Sequence, residues 1–436
     1  MAVVQRNRKY LIMSTDTQAK ILIIGGGVGG LTLAQGLLKN DIPFHVFERD
    51  ESQSFRAQGY RIRLDGDAVH ALKEVLPRHT WQKLEASAAA ERETSGITKI
   101  DALSGEEVRT GPPVGPPGGP HGSKGLKGAH HTDERPIAVD RTIMREILLS
   151  DLDQHISFGK AFERYEIHGS SITAYFADGD SYSGGFLVGA DGVNSRVRRQ
   201  YLPQLSVVDT TGRCIYGRTT LTPTLSASVH SKTRNGMVLI QQHFPDGTPL
   251  TLFLEPMRFP NPDIVTIVNP DTGAKETVKD YMYWVLLSRE RTFKHTTADL
   301  VRLPPAQAAD LSIELTQDWH GVITPILRQQ DQGAASALRI VTALPDMPTW
   351  KPSKFITVLG DAAHPMPPTA GLGALSALKD VEDLLVAIKE GLSEESVGAY
   401  EEGMRKWASE AVRGSRGGGL KFFGQVDFSE AKPVKF

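Results

Sequence analysis

The stretch Ala19-Lys-Ile-Leu-Ile-Ile-Gly-Gly-Gly-Val-Gly-Gly30 decides the fold, together with Glu48, eighteen residues beyond its last glycine. Lys20 to Ile24 reads as a buried strand. Gly25, Gly27 and Gly30 fit G-x-G-x-x-G, and a helix is expected to open near Val28. The first glycine permits a tight turn, the second lets the backbone approach a pyrophosphate, and the third lets the helix press on the strand. Helix-start amides then face the phosphate charge. Glu48 ends a second apolar run, Ile42-Pro-Phe-His-Val-Phe-Glu48, where a carboxylate can accept both hydroxyls of an adenosine ribose. Strand, glycine turn, helix and acid stand in the order that dinucleotide binding needs. An acid with no base close after it, apart from Arg49, favours an unphosphorylated ribose, as in FAD or NAD.

The 436 residues suffice for two to three cores. Apolar content of 40% and charged content of 23% are those of an ordinary globular protein. A net charge of −2 provides no general pull toward nucleic acid or anionic lipid. The single cysteine, Cys214, excludes an internal disulfide and fits a reducing, cytoplasmic setting. No apolar run is long enough to span a membrane. Residues 1–18 are expected to form a disordered leader, and the glycine- and proline-rich 111–128 a flexible loop and candidate flap.

Two further motifs carry chemistry: Gly189-Ala-Asp-Gly-Val-Asn-Ser-Arg-Val-Arg198, and Gly360-Asp-Ala-Ala-His-Pro-Met-Pro-Pro-Thr-Ala-Gly-Leu-Gly-Ala374. Each puts an aspartate just beyond an apolar strand, where open α/β sheets bind ligands. Asp361 can hydrogen-bond a polyol such as ribitol. Gly371 to Ala374 can bring helix-start amides to a ring carbonyl, where the positive dipole favours the anion of a reduced flavin. Between these motifs, Cys214 to Val285 is a series of short strand-like runs, an antiparallel signature.

On these three spaced motifs the sequence resembles the class A flavoprotein monooxygenases, with the hydroxybenzoate hydroxylase fold. Gln58-Gly-Tyr-Arg-Ile-Arg-Leu-Asp65 resembles the branch acting on natural products, including tetracycline-modifying and fungal secondary-metabolite enzymes. The resemblance implies a Rossmann-like α/β FAD-binding domain with a mixed sheet, in two parts (19–205 and 346–413). A middle antiparallel β-sheet substrate domain (206–345), C-terminal helices and a tail (414–436) complete it. It implies that Gly25, Gly27, Gly30 and Glu48 hold the ADP half of FAD, that Arg141 reaches the cofactor, and that Asp191 lies near the pyrophosphate. Asp361 would bind ribitol, and Gly371, Gly373 and Ala374 the isoalloxazine. Arg49, Gly59 and Arg63 are placed beside the cofactor as well; Arg61 and Arg63 share a face of their strand, and one of them is a candidate to reach the flavin or the substrate, with surface charge as the alternative. Leu372 and Leu375 stand where the family often has glutamine and asparagine.

The implied activity uses NADPH as transient co-substrate and O₂, through a flavin C4a-hydroperoxide, to hydroxylate or epoxidise a hydrophobic aromatic or alkene small molecule. Tyr216 and Arg218 are the candidate donors to a substrate oxygen. Met237, His243, Phe253 and Trp284 read first as plain sheet packing, with pocket lining as the alternative. His364 is expected to support the backbone rather than to act as an acid or base. No metal-ligand spacing is evident, and a monomer or homodimer is expected. The rivals are an FAD-dependent dehydrogenase or oxidative cyclase on the same fold, and a flavin-binding sensor without turnover.

Overall fold

A computed structural model describes residues 20–52, 60–92, 96–108, 133–268 and 273–434. The leader 1–18, Gly59 and the loop 111–128 lie outside them. The runs Ile21–Ile24, Phe44–Phe47, Phe186–Gly189 and Ile356–Val358 are buried at every position. Unbroken apolar runs of this kind belong to strands covered on both faces. With the short edge strand Ile156–Ser157 they form a five-stranded parallel sheet. Ile356–Val358 lies at one edge, followed by Phe186–Gly189, Ile21–Ile24, Phe44–Phe47 and Ile156–Ser157.

Helices Val28–Lys39 and Leu372–Glu390 pack together beside this sheet. A methyl group placed on Gly36 would lie 2.9 Å from Val75 and 3.0 Å from Leu385. An antiparallel meander, Phe162–His168, Ser171–Phe176 and Ser181–Gly184, supplies aromatic cover. Phe47 meets Phe176 at 4.7 Å and Tyr182 at 4.8 Å between ring centres.

The second large sheet has seven strands. Its main path runs Ser336–Ala343, Val207–Thr220, Tyr281–Arg289, Pro249–Met257, Met237–His243 and Ile97–Asp101, and Lys432–Pro433 also pairs with Val207–Thr220. All pairings are antiparallel except that of Ile97–Asp101 with Met237–His243. One face is a closed core in which Ile215, Leu252, Leu254, Trp284 and Leu286 are fully buried with helix residues Ala308, Ile326 and Leu327. The other face turns toward the parallel-sheet unit. The last long helix does not stop at the glycine-rich segment after Gly414 but runs Glu394–Phe423, and its end packs on this second face.

A hairpin of Arg61–Leu64 with Ile137–Asp140 joins the two units. Tyr60 donates to the Ala334 carbonyl, Tyr281 donates to Asp140 at 2.7 Å, and Arg61 pairs with Glu255 at 2.6 Å. On the opposite side Ala343 N–H donates to the Pro365 carbonyl at 2.6 Å.

Candidate cofactor and substrate site

The glycine turn is built as its spacing requires. Gly25 has φ +111°, and a Cβ there would lie 2.3 Å from the Ala190 carbonyl oxygen. A Cβ on Gly30 would lie 2.1 Å from the Gly25 oxygen, so helix and strand meet backbone to backbone. Gly27 differs: among the described residues, a Cβ there would meet nothing within 4 Å. Gly27 is also the N-cap of helix Val28–Lys39, and no side chain caps that helix. Its first amides therefore stay available to a ligand.

Glu48 is buried, and its carboxylate braces the turn. Oε2 accepts from Gly26 N–H at 2.6 Å and Oε1 from Asp50 N–H at 2.9 Å. A carboxylate has about four lone-pair sites, so this bracing leaves acceptor capacity for hydroxyls. Arg49 is exposed. Arg145, missed by sequence reasoning, is 5% exposed and donates from Nε to the Gly26 carbonyl at 3.3 Å. It lies one helical turn after Arg141 on helix Arg141–Leu149, which Asp140 caps through Thr142 and Ile143 N–H.

The second and third motifs follow adjacent parallel strands. Asp191 accepts from Ser195 hydroxyl, from Arg196 N–H at 2.7 Å and from Val197 N–H at 3.3 Å, holding the start of the short helix Arg196–Tyr201. Arg198, also missed, is 2% exposed. It donates to the Val193 and Ala362 carbonyls, both at 3.0 Å, and so staples one motif to the other. Burial pushes its guanidinium down to about 10.

Asp361 is exposed by surface area yet crowded by neighbouring protein. That crowding raises its carboxyl, while the charges of His364 and Arg141 oppose the shift. Among the described residues, neither the Asp361 carboxylate nor the half-buried Arg141 guanidinium has a hydrogen-bond partner. Opposite charges that influence each other, each with hydrogen-bonding capacity left among the described residues, suit a ligand carrying both polyol and phosphate.

Behind them His364, 1% exposed, meets Asp380 at 2.7 Å, and Asp380 also accepts from Gly360 N–H at 2.7 Å. Burial works against the imidazolium, but Asp380 outweighs it and raises His364. Gly371 has φ +69° and caps helix Leu372–Glu390 without a side-chain hydrogen bond. No atom lies within 4 Å of a Cβ placed there, and only Met366 Cγ, at 3.9 Å, approaches one on Gly373. Ala374 is half-buried beside this open ground, whereas Leu375 is buried in the core. Uncapped helix starts at Gly27 and Gly371, an acid at each of three strand ends and a facing Arg141 form a donor set that fits FAD.

The open face of the large sheet continues the site. Paired strand positions share a face, and the register sets Arg218, Tyr283 and Glu255 in one row and Tyr216, Val285, Phe253 and Leu239 in the next. Tyr283, Val285, Phe253 and Met237 are only half-buried despite lying on inner strands. Leu338, opposite Cys214, is 47% exposed. The hairpin bounds this ground on one side. On another stands Phe422, whose ring meets Phe253 at 4.7 Å. This partly open apolar ground on the sheet, bordered by the hairpin and by Phe422, is termed the chamber.

Tyr216 is 8% exposed, and its ring meets Tyr60 edge-on at 6.0 Å. Arg218 donates to Asp331 at 3.1 Å, with its guanidinium 5.3 Å from the Tyr60 ring and 5.7 Å from the Tyr281 ring. Trp284 points away into the closed core, and His243 is exposed. Arg63 lies on the chamber side of the hairpin with Arg61. Burial, then Arg92 and Arg61, push it down to about 10.

Comparison with known proteins agrees with this geometry. The family described as FAD binding domain matches residues 18–312. The dual O-methyltransferase/FAD-dependent monooxygenase elcB of Phaeosphaeria nodorum is 34% identical over 455 residues, covering 94% of this chain and 46% of the relative. CTB3 of Cercospora beticola, with the same description, is 35% identical over 433 residues, covering 94% and 47%. The chain thus spans about half the length of these curated relatives. A putative FAD-containing monooxygenase from Photorhabdus luminescens has a solved structure with TM-score 0.72 and 27% identity, covering 93% of this chain and 99% of its own. A salicylate hydroxylase, at 18% identity and TM-score 0.66, shares the fold; the match covers 95% of this chain and 91% of the hydroxylase. The chain belongs to the FAD-binding domain family, on the fold of the class A flavin hydroxylases, and FAD is its cofactor.

Proposed function

We propose that the chain is an FAD-dependent monooxygenase that uses NADPH and O₂ to insert one oxygen atom into an aromatic or alkene natural product. The observation that carries this reading is the placement of the uncapped helix start at Gly371 and the Asp361–Arg141 pair beside an apolar chamber closed by a separate sheet. A flavin held there would be gripped from behind and covered in front.

Gly25, Gly27, Gly30 and Glu48 would hold the adenosine and pyrophosphate end, with Arg49 at its rim. The Asp191 loop, Arg141 and Asp361 would hold the middle, and the backbone of Gly371, Gly373 and Ala374 the ring. The bound cofactor supplies hydride acceptance and oxygen activation. The protein supplies position and dryness. The positive end of helix Leu372–Glu390 favours negative charge at its start. Phe253, Val285, Tyr283 and Tyr216 exclude water, which would otherwise divert reducing equivalents to free peroxide. Arg218, held by Asp331, fixes the tyrosine wall and stands within that wall as a donor. The relatives' names join monooxygenation to O-methylation, which suits a substrate bearing aromatic hydroxyls.

The test is NADPH consumption by the purified protein across a panel of phenolic aromatics, with product masses. A product heavier by one oxygen atom supports the reading. Stoichiometric peroxide with a desaturated product would replace it with a dehydrogenase.

A further inference from the structure

On the chamber side of the hairpin, three arginines from two chain segments gather around one carboxylate. Arg61 pairs with Glu255 at 2.6 Å, and Arg92 donates from Nε to Glu255 at 2.7 Å. Arg63 lies close enough for both other guanidiniums to lower it. Glu255 is 3% exposed, and the Arg61 and Arg92 side chains are 12% and 14% exposed. Among the described residues, buried Arg61 Nε and one terminal nitrogen of Arg92 have no hydrogen-bond partner. Asp65, the other acid that acts on Arg63, is turned to cap helix Gly66–Val75 through Ala68 N–H. Positive charge therefore exceeds the carboxylate in contact with it, and Arg61 Nε and an Arg92 terminal nitrogen have no acceptor among the described residues. Such donors are costly unless something accepts from them.

The register shows what adjoins the cluster. Glu255 sits opposite Tyr283 and diagonal to Val285, on the same face as Phe253. A flat ligand lying on those side chains would bring an acidic group at its edge to the arginines. Planar guanidiniums suit a carboxylate, which they can bind with paired N–H donors.

We propose that Arg61 and Arg92, with Arg63 adding positive charge from the same face of the hairpin, form an anion subsite that holds a carboxylate at the edge of an aromatic substrate, with Glu255 as its internal placeholder. The proposal rests on the oxygenase reading of the same chamber, but its test reads binding rather than turnover. The holoprotein is titrated with naphthoate and with its uncharged counterpart naphthamide, following flavin and tryptophan fluorescence. Naphthoate should bind more tightly than naphthamide.

Arg92→Gln should weaken naphthoate about tenfold, the size of one charge-assisted hydrogen bond, and leave naphthamide and FAD affinity unchanged. Arg92→Lys should recover part of the loss. Glu255→Gln should tighten naphthoate, because the competing carboxylate is gone; a merely structural Glu255 would weaken both ligands. Equal affinities for the two ligands in wild-type protein would overturn the proposal. So would displacement of naphthoate by inorganic pyrophosphate, which would assign the arginines to a phosphate. Absence of oxygen insertion alongside carboxylate-selective binding would count against the oxygenase reading alone.

Discussion

The cofactor end and the substrate face of this protein are built from different materials. At the proposed cofactor end the available groups are mostly backbone: two uncapped helix starts, glycines without side chains and acids that brace turns. On the proposed substrate face they are side chains, from five strands and a hairpin, each reaching one ground from a different part of the chain. A backbone site tolerates few changes at the turn itself. A side-chain site can be re-lined residue by residue while the fold stands. The two ends should therefore fail differently under mutation.

The largest effect is expected at Gly30. Gly30→Val would drive a side chain into the Gly25 carbonyl, 2.1 Å from the added Cβ. The protein should not accumulate in folded form, as judged by soluble yield and thermal unfolding. Gly27→Ala has open space, so it should fold normally and lose FAD affinity only. Similar behaviour of the two variants would erase the distinction between packing glycine and ligand glycine.

Next is Arg198→Leu, which unpins the Asp191 loop from Ala362 and leaves buried carbonyls unpaired. A loss of about 3 kcal/mol is expected, read by denaturant unfolding, with weakened FAD binding as a consequence. Asp361→Ala should do the reverse. Its carboxylate has no partner among the described residues, so apoprotein stability should hold while FAD affinity falls at least about tenfold.

A smaller effect concerns Glu401, behind the parallel sheet. It accepts from Thr357 at 2.8 Å, Trp350 at 2.6 Å and Tyr201 at 3.2 Å, yet burial dominates and pushes it from its ordinary 4.5 up to about 7. A raised carboxyl binds its proton more tightly in the folded state. Its contribution is thus full below pH 4.5 and is lost as pH rises toward 7. Stability should decline across that window, and Glu401→Gln should flatten the decline. An unchanged slope in the variant would place the pH dependence elsewhere.

The cofactor end was readable in the sequence because its determinants are local. Gly25 to Glu48 is a single strand–turn–helix–strand unit, and Asp191 and Asp361 each follow their own apolar strand. Arg145 and Arg198 were not readable, because their carbonyl partners lie 119 and 164 positions away. The Arg92–Glu255 contact spans 163 positions and was equally hidden. Trp284 shows the limit of alternation: one register step separates the chamber residue Tyr283 from a residue sealed in the far core. Gly414 to Phe423 looked like a polar tail, but Phe422 and Phe423 pack onto the sheet, and that contact outweighs the low helix propensity of the glycines.

On the proposed reading, separate turns grip one FAD along its length beside the chamber. The direct measurement is an equilibrium titration of the folded protein with FAD, following flavin fluorescence, in wild type, Gly27→Ala and Asp361→Ala. Saturable binding of one cofactor per chain is expected, with weaker binding in each variant and unfolding midpoints unchanged. Folded protein that ignores FAD, or variants that bind it as tightly as wild type, would contradict it.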